Sequence, residues 1–397
     1  MSRPTLPAAR SEQVDPTTGQ RVVRWTEGGS KNQHLYFTSP SVTADDRWLV
    51  FISDRDGHPN LHAIDRKTGG IQKLTRNTEG LLRAYVYPLG GRRGLSKASP
   101  CLDAAHNRVY YILNDEVWRV DLDGGADPVE LCELPAGAYT AFNHVSPDGR
   151  TLCVPFADAR AFEGPMQTQW EQLRQVPEIM RRHDLRTQII LIDTANGRSR
   201  IAAEVPFWVT HVQFDPAGSG RVIFNKEGQF PTTGIPLPDR IWCLDTDGSF
   251  RPLAPEADDE WRSHENWCPD GSAIVYHGSQ AGEPFVAART WDGMLLRQAS
   301  LAGIALYHAT GAIDGRRLFI DKPDGWIALV DPEATGPERI RNLCRHGSSC
   351  RDQDAHVHPI TSQSGNTVVF TSDTAGQCDV YEVKLPAWAL PAVRKDV

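Results

Sequence analysis

Nothing in this chain of 397 residues approaches the roughly 20-residue apolar run that crosses a bilayer. Its first residues, MSRPTLPAARSEQVDPTTG, contain no apolar h-region, so no secretory signal is expected. There is no CxxC pair. The eight cysteines (101, 132, 153, 243, 268, 344, 350 and 378) are scattered, which speaks against a disulfide scaffold and for a reduced, cytoplasmic protein. Cys344 and Cys350 are the pair whose spacing would permit a bridge. No GxSxG elbow is present, so a serine hydrolase is not expected. Positive charge is in deficit. A net charge of −8 gives no reason to expect nucleic acid or an acidic membrane as partner. Hydrophobic content of 40% and charged content of 23% are those of a globular protein.

What the chain does have is a repeat. Residues 36–75, YFTSPSVTADDRWLVFISDRDGHPNLHAIDRKTGGIQKLT, read as three strands separated by turns, then a short fourth strand. Units of this kind recur from residues 99, 142, 208, 261, 307 and 354. Seven units, roughly 45–60 residues apart with about four strands each, predict an all-β fold: a single seven-bladed β-propeller domain over residues 1–397. VDPTTGQRVVRWT (14–26) has the form of a unit's ending with no unit before it, and the last unit stops early at DVYEVKL. The N-terminal segment is therefore expected to add the outermost strand to the last blade and close the ring.

Two segments interrupt the pattern. An insertion of about residues 158–186 falls in blade three; QTQWEQLRQ has helical composition, and Pro177 is expected to limit the helix. It reads as a surface helix on the rim, or else as a lid or an oligomer contact. The segment RAYVYPLGGRRGLSK (83–97), with Arg83, Arg92, Arg93 and Lys97, reads as a solvated loop or as an attractor of an anionic ligand.

The repeat allows positions to be compared between blades. Seven residues before the turn residues Gly218, Gly271, Gly315 and Gly365 stand His211, His264, His308 and His358. The matching residues are Ser39 in blade one and Phe142 in blade three. First strands line a propeller's channel, so these histidines face one another across it. His356 falls two residues before His358, on the same face of a strand, with Gln353 just ahead. A lone histidine at such a place is ordinarily a hydrogen-bonded core residue. Four at one register position, with His356, point to a metal site instead. Imidazole with an amide oxygen suits a divalent ion such as Mn²⁺, and no cysteine joins the set, against a structural zinc. His277 and the remaining histidines read as structural or surface residues, with His144, at the head of blade three, the one to watch.

With those residues in view, the chain resembles the oligogalacturonate lyases, seven-bladed propellers of pectin degradation, over nearly its whole length. The resemblance is carried by HLYFTSPSVTADDRWLVFISDRDG, by SHENWCPDG in blade five, and by QDAHVHP followed by VVFTSD. It implies that Gln353, His356 and His358, with His308, hold a divalent metal, most simply Mn²⁺. It also implies that His264 is the catalytic base and that Arg240, in DRIWCLDTDG, is catalytic and binds substrate. The stretch between His308 and Gln353 is shorter than in the family, and the turn after the metal motif is TSQSG rather than an SPDG-like turn.

The activity so implied is β-elimination on a short oligogalacturonate. A metal at the C6 carboxylate makes the weakly acidic C5 proton removable, and a neutral histidine takes it while the C4 oxygen leaves. Arg240 would hold a carboxylate and help keep His264 neutral. His211 would contact substrate or protonate the leaving oxygen. Paired carboxylates for hydrolysis find no matching channel positions, and Glu265 is expected to point away from the channel if His264 points in. The competing readings are a lyase for another uronate, a hydrolase, and a non-catalytic TolB-like propeller that binds protein or peptide.

Overall fold

The computed structural model describes residues 5–390 apart from 8, 83–93, 137, 165, 167 and 229–238. Seven antiparallel sheets of four or five strands follow one another along the chain, as the repeat predicts for a seven-bladed propeller. Blade one is typical: Asn32–His34, Trp48–Ser53, Asn60–Asp65 and Ile71–Lys73 pair in sequence order. Its second strand, WLVFIS, is buried at every position, because both its faces are covered. That is why the strand reads as a continuous apolar run with no polar alternation.

The core is divided into layers between neighbouring blades. Tyr110, Ile112 and Val117 of blade two pack with Leu152 and Val154 of blade three, and Phe319 and Ile327 of blade six with Val368 and Phe370 of blade seven. The hairpin turns between first and second strands keep this spacing tight. At Gly149 (φ 69°) an added Cβ would lie 2.4 Å from Asp103 Oδ2 of the preceding blade, so the turn needs both the left-handed conformation and the missing side chain.

The N-terminal segment pairs with the last blade: Val22–Arg24 lie against Tyr381–Val383, and Ser11–Val14 add a further strand outside them. Buried Asp379 fastens this seam, accepting from Arg24 Nε (3.0 Å), Thr26 Oγ1 (2.8 Å) and Asn32 Nδ2 (2.9 Å). Another short strand, Thr5–Leu6, pairs with Ile71–Gln72 of blade one.

The blade-three insertion forms the helix Gln169–Arg182, started by a capping box between Thr168 and Glu171. It runs past Pro177, contrary to the sequence expectation. Proline removes one donor in the interior of this helix. The helix continues because Leu173, Val176 and Met180 bury together against Trp208, Ala141 and Ala157, and that packing outweighs the missing bond. All eight cysteines are free, Cys344 and Cys350 included. No described helix is long and apolar enough to cross a membrane.

Candidate active site and metal centre

Three of the four register-matched histidines, His264, His308 and His358, come together with His356. His308 and His358 have ring centroids 3.9 Å apart, His264 and His308 4.5 Å, and His308 and His356 5.1 Å. His264, His308 and His358 each present a ring nitrogen within 4.8 Å of the others'. His356 Nδ1 lies 3.3 Å from His308 Nε2. His211 stands a little apart, across the ring of Phe37.

Each side chain is positioned by an identifiable local feature. His308 begins the first strand of blade six and pairs directly across the hairpin with Asp321. That carboxylate, fully buried, accepts from His308 N (2.8 Å) and bonds Nδ1 (2.8 Å), which turns Nε2 toward His356. A carboxylate behind a histidine in this way sets the tautomer and raises its basicity. Although burial works against it, Asp321 stays below the usual carboxylate range because His308 faces it.

His264 and His358 both have left-handed backbones (φ 51° and 44°), which is uncommon for residues other than glycine. His264 sits in a β-bulge: the pairing of the strand Glu260–Trp267 with Ile274–Gln280 slips between Ser263 and Asn266. The bulge turns consecutive residues, His264 and Glu265, to the same interior. Alternation along an unbroken strand would have sent Glu265 away, so the sequence expectation fails here. His358 is likewise not on a regular strand. A short 3₁₀ turn, Gln353–Ala355, precedes His356, and the strand starts only at Ile360. His356 and His358 converge because the chain twists between them, their rings 5.6 Å apart, and not because they share a strand face. The His358 carbonyl is held by His34 Nε2 at 2.9 Å.

Gln353, half-buried on that 3₁₀ turn, lines an adjoining pocket with Lys31, Asp54 and Asp354. Its carbonyl accepts from His356 N at 3.4 Å.

Arg240 is buried between two carboxylates, Glu265 (Nε to Oε2 3.1 Å) and Glu227 (Nη1 to Oε1 3.5 Å). His211 Nδ1 bonds the other Glu265 oxygen at 3.0 Å. Burial would raise Glu265, but Arg240 and His211 outweigh it and bring it down to about 2. The guanidinium is thus already charge-compensated before any ligand arrives.

His264, His356 and His358 are held neutral. Burial, and then the charge His308 can carry, keeps His264 and His358 well below the ordinary histidine range and His356 at about 3. Arg240 adds to the effect on His264 in the direction expected. Both ring nitrogens of fully buried His358 lack a hydrogen-bond partner, which is costly unless something else binds them. Orphaned nitrogens beside the rings of His264 and His308 fit a divalent metal ion.

Several contributors are absent from the sequence reading. His277 Nε2 lies 2.6 Å from His264 Nδ1, with the rings stacked, so it orients His264 and is more than a structural residue. The cross-hairpin pairing of His277 with Ser263 was the available signal. Tyr36 and Phe37 form a floor under the histidines, with Phe37 5.2–5.6 Å from His264, His211 and His358. Phe37 also lines a cavity of about 240 Å³ on the far side, where His144 lies, so His144 is not part of the cluster. Lys97 is buried, not solvated; Arg83, Arg92 and Arg93 lie outside the described residues.

No family model matches the chain. It is 24% identical to an oligogalacturonide lyase of Pectobacterium atrosepticum over 94% of its own length and 95% of the relative's. It is 25% identical to an oligogalacturonate lyase of Dickeya dadantii over the same shares. A solved oligogalacturonate lyase in complex with manganese superposes with a TM-score of 0.80 at 21% identity, covering 98% of this chain and 99% of that one. In sequence and in fold, over nearly its full length, this chain resembles the oligogalacturonate lyases.

Proposed function

We propose that this protein is a metal-dependent lyase that cleaves short oligogalacturonates, digalacturonate among them, by β-elimination in the cytoplasm. The observation that carries the reading is the cluster of histidines around His358, whose two ring nitrogens have no partner among the described residues. The curated relatives are named for this activity, and one solved relative carries manganese. Eight free cysteines suit a reducing compartment.

His308, His356 and His358, with Gln353, are assigned to the metal, with Mn²⁺ the ion favoured by the solved relative. When bound, such an ion lowers the energy of negative charge developing on a uronate carboxylate. His264 is assigned as the base. As the base it donates its Nδ1–H to His277 Nε2, which puts the lone pair for the C5 proton on Nε2. His211, fixed by Glu265, and the Nη1 of Arg240, which has no hydrogen-bond partner, are assigned to substrate contact. The floor of Tyr36, Phe37 and Phe142 keeps water from the lower side of the site.

Hydrolysis by paired carboxylates is disfavoured by charge. Glu227 and Glu265 both face Arg240 and are held ionised, so neither can serve as a general acid near neutral pH. The test is mass spectrometry of digalacturonate incubated with the protein and Mn²⁺, with and without chelator. A product lighter than galacturonate by one water, lost on chelation, is expected. Two intact galacturonates would establish hydrolysis and overturn the proposal.

A further inference from the structure

Lys97 is a buried lysine with no counter-ion among the described residues. It is 1% exposed, and its Nζ has no hydrogen-bond partner. Among the described residues no carboxylate lies within ion-pair distance of it. The carboxylate that acts on it from further away, Asp354, is already paired with Lys31. Its contact of note is with the Tyr36 ring, whose centroid is 6.0 Å from Nζ. An ammonium withdrawn from water without an anion is among the costlier arrangements a fold can keep.

Its position explains what it would serve. Cys101 pairs with Tyr110 in blade two as Ile360 pairs with Val369 in blade seven, across hairpins of the same length. Four residues before Cys101 stands Lys97; four residues before Ile360 stands His356. Lys97 therefore holds in blade two the place that His356 holds in blade seven, at the head of the channel-lining segment. Tyr36, which it approaches, lies 4.8 Å from the His358 ring. The lysine's charge is also felt at His356, His358 and His34. On the other side of the site Arg240 is compensated by two carboxylates, whereas Lys97 has no such partner among the described residues.

We propose that Lys97 binds a carboxylate of the uronate chain and makes the site selective for the free acid over its ester or a neutral sugar. This assignment rests on the lyase reading for its ligand, but not for its geometry. A lysine kept for stability would have a partner within the protein. This one has none among the described residues until an anionic ligand brings it, and burial, which pushes it down to about 8, leaves it mostly charged at neutral pH.

The test compares wild type with Lys97→Met and Lys97→Arg, each loaded with Mn²⁺ and checked for metal content. Lys97→Met is expected to raise KM for digalacturonate about 10- to 100-fold, the value of one charge-assisted hydrogen bond, with metal content unchanged. Lys97→Arg is expected to retain most of the affinity. Lys97→Met is also expected to melt no lower than wild type, since it removes an unpaired charge from the interior. An unchanged KM, or a fall in melting temperature with no rise in KM, would overturn the proposal. If wild type eliminates no uronate at all, the lyase reading fails separately. Calorimetric titration of galacturonate into wild type and Lys97→Met then decides the lysine's role: binding lost in the variant supports it, and equal or no binding in both overturns it.

Discussion

His264 has one free lone pair and two possible uses for it. With its Nδ1–H donated to His277, Nε2 either accepts a proton or joins His308 and His358 on an ion. The variants separate these. His264→Ala is expected to lower kcat about a hundredfold or more while Mn²⁺ content stays at the wild-type level. His356→Ala is expected to lose metal and activity together, as measured by elemental analysis of the dialysed protein. Loss of metal from His264→Ala would move it from base to ligand. Asp321 acts through His308, which it holds by both oxygens. Asp321→Asn is expected to weaken Mn²⁺ binding about 10- to 100-fold in a calorimetric titration, with the fold intact. An unchanged affinity would remove His308 from the ligand set. At this scale much was legible in the sequence: counting back from turn residues picks out His264, His308 and His358, with His356 two residues before the last, but not His277. Glu265 and Lys97 were not, because the direction of the first and the burial of the second depend on the path of the backbone.

At the scale of the element, blade five shows why. Its first strand carries the bulge at His264, and its second carries His277. Gly278, next to His277, has room for no side chain: a Cβ would lie 1.9 Å from the Trp261 carbonyl oxygen across the pair. Gly278→Ala is expected to cost about 1–3 kcal/mol in urea unfolding. It is also expected to lower kcat, because the two strands that hold the His264–His277 pair must move apart. A variant with wild-type kcat would show that the pair does not depend on this close approach. Period-two alternation predicts a strand's faces only while the ladder is regular. It therefore describes the second strands of the blades well. It fails at His264 and at His356–His358, where the chain leaves the ladder to place its functional residues.

At the scale of the molecule, the fold keeps an unusual number of histidines neutral. Burial is the first cause for His34, His62, His277 and His356, each brought down to about 3, and for His144, brought to about 4. Their ordinary value is 6.5. The unfolded chain therefore binds protons between these values where the folded chain does not. Stability is whole above about pH 6.5 and is lost as pH falls toward the folded values. The metal-free protein is expected to show a melting temperature that drops steadily from about pH 7 to about pH 5. A flat profile would mean these histidines remain accessible to protons in the fold.

The sequence by itself determined the repeat, the number of blades, the joining of the N-terminal segment to the last blade, and the register that brings the histidines to one level. These follow from apolar periodicity and turn residues, which are local properties that recur along the chain. The tertiary structure alone decided which groups compensate one another. Arg240 lies between Glu227 and Glu265, Asp321 stands behind His308, and Lys97 has no partner among the described residues. Charge compensation in a buried site depends on distances between blades, and those are set by packing across layers that no single stretch of sequence contains.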